Sequence, residues 1–253
     1  MNTHKTAALE AISICKSYEN EPIIEDICVK IKEGELVSLL GVSGIGKTTL
    51  FHILSGLENP DSGTVKIYGE TVTGQSGKVS YMQQKDLLLP FETILNNVCM
   101  PLFLKGTSKK NAYTQASLHF EEFGLGGCEN KYPSQLSGGM RQRAALLRAY
   151  LFSDQIMLLD EPFSALDAIT KTAMHRWFSN IITAHGTSTL FITHDIDEAI
   201  VLSDRIYIMS GVPGKITHEL TMNSQSRCNP EFFTTKEFIE IKRDILEKIN
   251  NRK

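Results

Sequence analysis

The strongest constraint on this chain's fold is the segment Gly41–Thr48, GVSGIGKT, set between two patterned runs. Leu36-Val37-Ser38-Leu39-Leu40 before it reads as a short buried strand, and Lys47-Thr48-Thr49-Leu50-Phe51 opens a helical pattern. Glycines at 41, 44 and 46 permit a tight loop between them. Such a loop surrounds one point with backbone N–H groups and the positive end of a helix, which is what a polyphosphate needs. There Lys47 can reach terminal phosphate oxygens and the Thr48 hydroxyl can ligate magnesium. Gly41, Ser43, Gly44 and Gly46 shape the loop, and Thr49 extends it without separate chemistry. An ordinary glycine-rich turn accounts for the glycines, but not for a lysine and a hydroxyl placed together at the helix start.

The rest of the chain fits a globular α/β protein. With 253 residues, 42% hydrophobic and 22% charged, it is long enough for one large domain or a core with a subdomain. A formal charge of -3 gives no basic footprint for nucleic acid. No apolar run approaches the roughly 18 to 20 residues of a membrane span. The opening MNTHKTAALEAIS lacks the apolar core of a secretory leader, which predicts a cytosolic chain. Cys15, Cys28, Cys99, Cys128 and Cys228 form no CxxC pair and read as reduced packing residues.

Short β-like runs at Ile12–Cys15 and Ile27–Ile31, and another after Asn59-Pro60-Asp61-Ser62-Gly63, predict an antiparallel β subdomain in front. The pattern turns helical from Glu92 to Tyr150, with breaks at Gly124–Gly127 and Tyr132–Ser134, predicting an inserted helical subdomain over 92–150. Strands at Ile156–Leu159, Ser188–Thr193 and Arg205–Met209 alternate with helices near 167–184 and 195–203. That alternation predicts a parallel sheet covered on both faces. Residues 222–253 read as a C-terminal extension, with a solvated, charged helix from Phe232 onward.

Three further groups sit where chemistry is expected. The run Ile156-Met157-Leu158-Leu159 delivers Asp160 and Glu161 to a strand's carboxyl end, where ligand sites of open α/β sheets lie. Asp160 can hold magnesium and Glu161 can polarise an attacking water, or the pair can cap the helix beyond Pro162. His194 likewise follows a β-like run, so its imidazole can meet a γ-phosphate or the water, while Asp195 caps the next helix. In LSGGMRQR, Leu136–Arg143, the residues Ser137, Gly138 and Gly139 stand at a helix N-terminus. Either a second phosphate site or a simple N-cap with two glycines satisfies that pattern.

The order of these motifs resembles the ATP-binding subunit of ABC transporters over nearly the whole chain, 1–253, as a single domain. GVSGIGKTT matches the Walker A segment, LSGGMRQR the signature, IMLLDEP Walker B, SALD the D-loop and His194 the switch histidine. The resemblance implies a P-loop NTPase core and ATP hydrolysis with Mg2+. It further implies two chains sandwiching two ATP molecules, each between Walker A of one and Ser137, Gly138 and Gly139 of the other. Gln84 in YMQQKDLLLP matches the Q-loop glutamine near magnesium and water, with Gln83 the competing assignment. Tyr18 matches the aromatic that stacks on adenine, or is an ordinary exposed strand tyrosine. Asp167 of SALD matches the residue connecting opposing sites, and a helix N-cap explains it equally. The partners implied are a second copy or similar subunit, a transmembrane permease and, indirectly, a solute-binding protein, at the cytoplasmic membrane face. Leu87–Phe91, Asn96-Asn97-Val98 and Val212–Ile216 look like the group serving nitrate, sulfonate, taurine and pyrimidine importers, which more often carries Trp at the position of Phe91. The stretch from Gln84 to about Leu104 is then either permease-facing or subdomain core.

Overall fold

The computed structural model describes residues 7–153, 155–164, 166–222 and 232–250. In chain order, β1 (Ala7–Tyr18), β2 (Glu21–Lys32) and β3 (Leu36–Leu40) precede α1 (Lys47–Leu54). Then come β4 (Ser62–Ile67), β5 (Glu70–Thr71), β6 (Ser80–Met82), α2 (Ile94–Leu104), α3 (Lys109–Phe120) and α4 (Gly138–Phe152). The remainder is β7 (Ile156–Asp160), α5 (Ala168–His185), β8 (Ser188–Thr193), α6 (Ile196–Leu202), β9 (Arg205–Ser210), β10 (Lys215–Thr221) and α7 (Lys236–Asn250). The chain divides into two compact units, one comprising the described residues up to Lys78 and from Gly186, the other Val79–His185.

The first unit holds two sheets. In front, β2, β1, β4 and β5 pair antiparallel in that order, as the alternating front sequence predicts. In the second, β8, β3 and β9 run parallel, and β10 returns antiparallel on β9. Every residue of β3 and β8 is buried, so their apolar runs are those of strands covered on both faces. The segment Val212–Ile216 ties the two sheets: Gly214 N–H donates to Ile23 O at 2.8 Å and Glu25 N–H to Gly214 O at 3.1 Å.

Sequence reading missed β10, because Lys215–Thr221 alternates exposed and half-buried residues on a sheet edge. The solvated terminal helix needs correction as well. α7 keeps a charged outer face, but Phe238 and Ile245, with Phe232 before it, are buried in one cluster with Leu40, Ile200, Ile206 and Ile208. Its apolar residues share one side at helical spacing, so burial of that stripe holds the helix to the core. Of the segment 222–253, residues 223–231 and 251–253 lie outside the described residues.

In the second unit β6 and β7 pair in parallel, and α2 to α5 form the rest. Local caps set the helix starts: Thr93, Ser108 and Ser137 each accept an N–H from three residues on. Two of the cysteines pack as expected, Cys99 and Cys128 being buried, with burial pushing the Cys99 thiol up to about 12. Cys28 instead is exposed, Cys15 is intermediate, and Cys228 lies outside the described residues. Among the described residues no helix is long and apolar enough to cross a membrane.

One polar centre closes the edge of the first unit. Arg205, 7% exposed, donates to both carboxylate oxygens of Glu35 at 2.9 and 2.6 Å, to Glu219 at 3.0 Å, to Lys30 O at 2.6 Å and to Tyr207 Oη at 2.9 Å. Desolvation opposes the charge, yet the bonds to Glu35 and Glu219 outweigh it and hold the guanidinium above its ordinary pKa. Removing one partner leaves buried charge uncompensated, which typically costs about 3–5 kcal/mol. Arg205→Leu therefore lowers the unfolding free energy by about that amount in urea titration, and a change under about 1 kcal/mol contradicts this account.

Candidate functional site

Two adjacent parallel strands of the first unit present candidate groups from the same end. Leu40 of β3 pairs in register with Thr193 of β8, so Gly41 and His194 follow at neighbouring carboxyl ends. That is where open α/β sheets place ligands. The loop is possible only with glycine at two close approaches. A Cβ on Gly41 would lie 2.7 Å from Met209 O, and one on Gly46, whose φ is +101°, would lie 2.5 Å from Ile24 Cγ2. Lys47 is buried, and its ammonium donates to Gly41 O at 2.7 Å and Val42 O at 2.8 Å, which fixes the cation inside the loop. Ser43, Gly44 and Thr48 are exposed, while Thr49 is half-buried.

His194 is exposed at the end of β8. Asp195 N–H donates to the Thr193 hydroxyl at 3.0 Å, and that hydroxyl donates to Glu198 at 2.5 Å. Asp195 accepts the N–H groups of Asp197 and Glu198, so it caps α6 as its sequence position predicts. Tyr18 is 44% exposed, and its hydroxyl donates to Glu58 at 2.6 Å. Lys16 bridges the same carboxylate at 3.1 Å and Asp61 at 3.5 Å. Burial raises the Glu58 pKa, but the Tyr18 hydroxyl and the Lys16 ammonium pull harder, so the carboxyl sits below its ordinary range.

The second unit carries the acids. Asp160 ends β7 and is buried, and Glu161 follows with φ +46°. Gln84, just past β6, donates its side-chain amide to Glu161 Oε2 at 3.0 Å. Ser137 caps α4, leaving Gly138 and Gly139 in its first turn. Asp167 accepts the Thr170 N–H at 3.0 Å and the Thr170 hydroxyl at 2.6 Å, so it caps the start of α5. The capping expectations for Ser137 and Asp167 are therefore met.

Sequence reading missed the supports beneath these groups. Burial and the neighbouring Asp160 carboxylate push the Tyr81 phenol up, keeping it neutral beside that acid. Arg148 on α4 donates to Leu87 O at 2.8 Å and to Asp86 O at 2.5 Å, and Arg141 pairs with Asp86 at 3.2 Å. Buried Asn97 accepts the Leu89 N–H at 2.6 Å and donates to the carbonyls of Leu89, Glu92 and Thr93. Within Gln84–Leu104, Leu88 and Leu102 are core, whereas Leu87, Phe91 and Leu104 are exposed. Beside them a groove of about 290 Å³ is lined by Glu92, Asn96, Met100, Phe103 and Lys109.

Against known proteins, the family profile described as ABC transporter matches residues 24–164. The chain is 47% identical over 204 residues to the formylaminopyrimidine import ATP-binding protein ThiZ of Halalkalibacterium halodurans, covering 81% of this chain and 79% of that one. The chain belongs to the ABC transporter family. This ABC protein is also 40% identical over 200 residues to the nitrate import ATP-binding protein NrtD of Synechocystis, covering 79% of this chain and 75% of the other. With the aliphatic sulfonates import ATP-binding protein SsuB of Bacillus cereus it shares 37% over 244 residues, covering 96% and 95%. Among solved structures it resembles the dimeric bacterial ABC transporter cassette MJ0796, with a TM-score of 0.74 and 28% identity over 85% of this chain and 99% of that one. A post-hydrolysis state of the same cassette, bound to ADP and Pi, superimposes with a TM-score of 0.73 at the same identity and coverage. This ABC protein is thus a nucleotide-binding ATPase of the transport type, with the expected P-loop fold.

The close approach at Gly46 makes a measurable prediction for this ABC cassette. A left-handed Cβ costs about 1–2 kcal/mol and overpacking about 1–3 more. Gly46→Ala therefore loses about 2–5 kcal/mol of stability in urea titration. Gly44→Ala also has positive φ but no atom within 4 Å of the new methyl. It should lose only the smaller part, about 1–2 kcal/mol.

Proposed function

We propose that this ABC ATPase powers import of a small polar solute of the nitrate, sulfonate, taurine or formylaminopyrimidine type through a separate permease at the cytoplasmic membrane face. The observation that carries the reading is the direct bond between Gln84 and Glu161 at the end of β7. Such a pair can hold and polarise a water at a strand end beside the buried Asp160. The relatives' import roles, together with Leu87–Phe91, Asn96–Val98 and Val212–Ile216 in this sequence, support the solute class.

In this reading Gly41, Ser43, Gly44, Gly46 and Thr49 cradle ATP by their backbone, Lys47 neutralises the terminal phosphates, and Tyr18 stacks on adenine. Thr48, Gln84 and Asp160 would hold Mg2+: all three offer the hard oxygen donors it requires. The ion would offset phosphate charge as the β–γ bond breaks. Glu161 orients the attacking water, and His194 hydrogen-bonds the γ-phosphate. Ser137, Gly138 and Gly139 of a second copy complete each site, with Asp167 linking opposing sites. ATP thereby favours the closed dimer by contacts that the open state lacks, and loss of phosphate removes them. The exposed Phe91 and the neighbouring groove are the surface offered to the permease, whose substrate arrives on a solute-binding protein.

Glu161→Gln tests the chemistry. Loss of the water-orienting carboxylate lowers ATP turnover by about 10²–10⁴-fold. ATP binding persists, and a nucleotide-dependent dimer accumulates in size-exclusion chromatography. A mutant that stays monomeric and still hydrolyses ATP would falsify the assignment. For coupling, the tagged chain recovered from detergent-solubilised membranes should carry a multi-span permease in stoichiometric amount. Recovery with soluble partners alone moves it to an ABC ATPase outside transport.

A further inference from the structure

The helical unit carries a second cluster of chemical groups that none of the nucleotide motifs includes. His119 lies in the last turn of α3, Glu122 just beyond that helix, and His185 is the last residue of α5. One ligand atom from each lies within 4.8 Å of the other two. His185 Nε2 stands 2.9 Å from Glu122 Oε1, and His119 Nδ1 stands 3.6 Å from Glu122 Oε2. We propose that His119, Glu122 and His185 bind a zinc-type transition-metal dication.

Several independent features favour this over a plain ion-pair cluster. His119 Nδ1 is buried without a hydrogen-bond partner, a condition that buried polar atoms rarely tolerate and that a metal bond would satisfy. The Tyr150 hydroxyl lies 3.0 Å from His185 Nδ1. Without metal, Nε2–H donates to the Glu122 carboxylate and Nδ1 accepts from Tyr150. A metal would take the Nε2 lone pair in place of that proton, with Nδ1–H then donating to the Tyr150 oxygen, the outer-shell arrangement that orients metal-binding histidines. Two helix C-termini converge there, and their dipoles favour added positive charge. Among the described residues the ion-pair partners of Glu122 are these two histidines, so no lysine or arginine occupies the position of the cation.

Geometry and donor type select the metal. Zinc bonds of about 2.0–2.1 Å in a tetrahedron set ligand atoms about 3.3 Å apart, and each histidine nitrogen lies near that distance from a Glu122 oxygen, His185 at 2.9 Å from Oε1 and His119 at 3.6 Å from Oε2. Two imidazoles and one carboxylate suit zinc and its neighbours, whereas magnesium and calcium prefer oxygen donors. A water would complete the tetrahedron as the fourth ligand. Binding would clip the end of α3 to the end of α5 within the helical unit.

The test uses the full chain, stripped with chelator and free of nucleotide. Co2+ serves as a spectroscopic probe and Zn2+ is followed by calorimetry. Expected are one equivalent of Co2+ with the visible bands of a four-coordinate site, displacement by Zn2+, and a rise in melting temperature that chelator reverses. His119→Gln and Glu122→Gln should each weaken Zn2+ binding more than tenfold, and Tyr150→Phe about tenfold. Glu122 is more exposed than the histidines, so its variant keeps the test open should His119→Gln not fold. Binding should survive in a chain carrying Ser at Cys15, Cys28 and Cys228. The proposal fails if the parent binds no stoichiometric metal, if the His119 and Glu122 variants bind as the parent does, or if the cysteine substitutions abolish binding. None of these readouts measures ATP turnover, so either result leaves the ATPase assignment where it stands.

Discussion

Close backbone packing around the Gly41–Gly46 loop is the constraint on which the first unit depends. Met209 of β9 reaches the loop at Gly41, and Ile24 of β2 reaches it at Gly46, each leaving no space for a side-chain carbon. Gly214 adds a third approach, where a Cβ would lie 2.3 Å from Ile45 O. The loop is thus clamped between the core sheet and the front sheet. Lys47 completes it from within by binding two of its carbonyls. A phosphate-binding loop made of backbone needs such a clamp, since glycine-rich chain has much conformational entropy to lose.

Legibility followed the range of the interaction. β3, β7 and β8 could be read because a strand buried on both faces is an apolar run, and α6 because Asp195 supplies a cap from its own flank. The Gly41–Thr48 loop is likewise local. The docking of α7 was harder: its charges dominate composition, while Phe238 and Ile245 find their partners in α6 and β9, far back in the chain. Arg205 was silent for the same reason, its acids lying 170 and 14 residues away. Asn97 stood in a segment singled out only by resemblance, yet its physical work is plain. One buried amide satisfies the backbone of Leu89, Glu92 and Thr93, which lets an irregular loop be partly buried without orphaned groups.

The same supports bear on how the Gln84–Glu161 pair could communicate with α4, the helix that meets phosphate on the proposed reading. Gln84 bonds Glu161, and two residues later Asp86 is paired with Arg141. Arg148, farther along α4, holds the carbonyls of Asp86 and Leu87. α4 is also the helix whose first turn contains Gly138 and Gly139. Displacement of the Gln84 segment therefore loads its charge-assisted bonds to α4 together with the packing of buried Leu88. Charge-assisted bonds are roughly twice as strong as neutral ones and directional, so such a segment moves with its helix or breaks free of it. On the proposed reading, that two-way choice is what a transporter requires. A change at the Gln84–Glu161 pair is carried to the signature turn at one end and to the exposed Leu87 and Phe91 at the other by a single latched piece of chain.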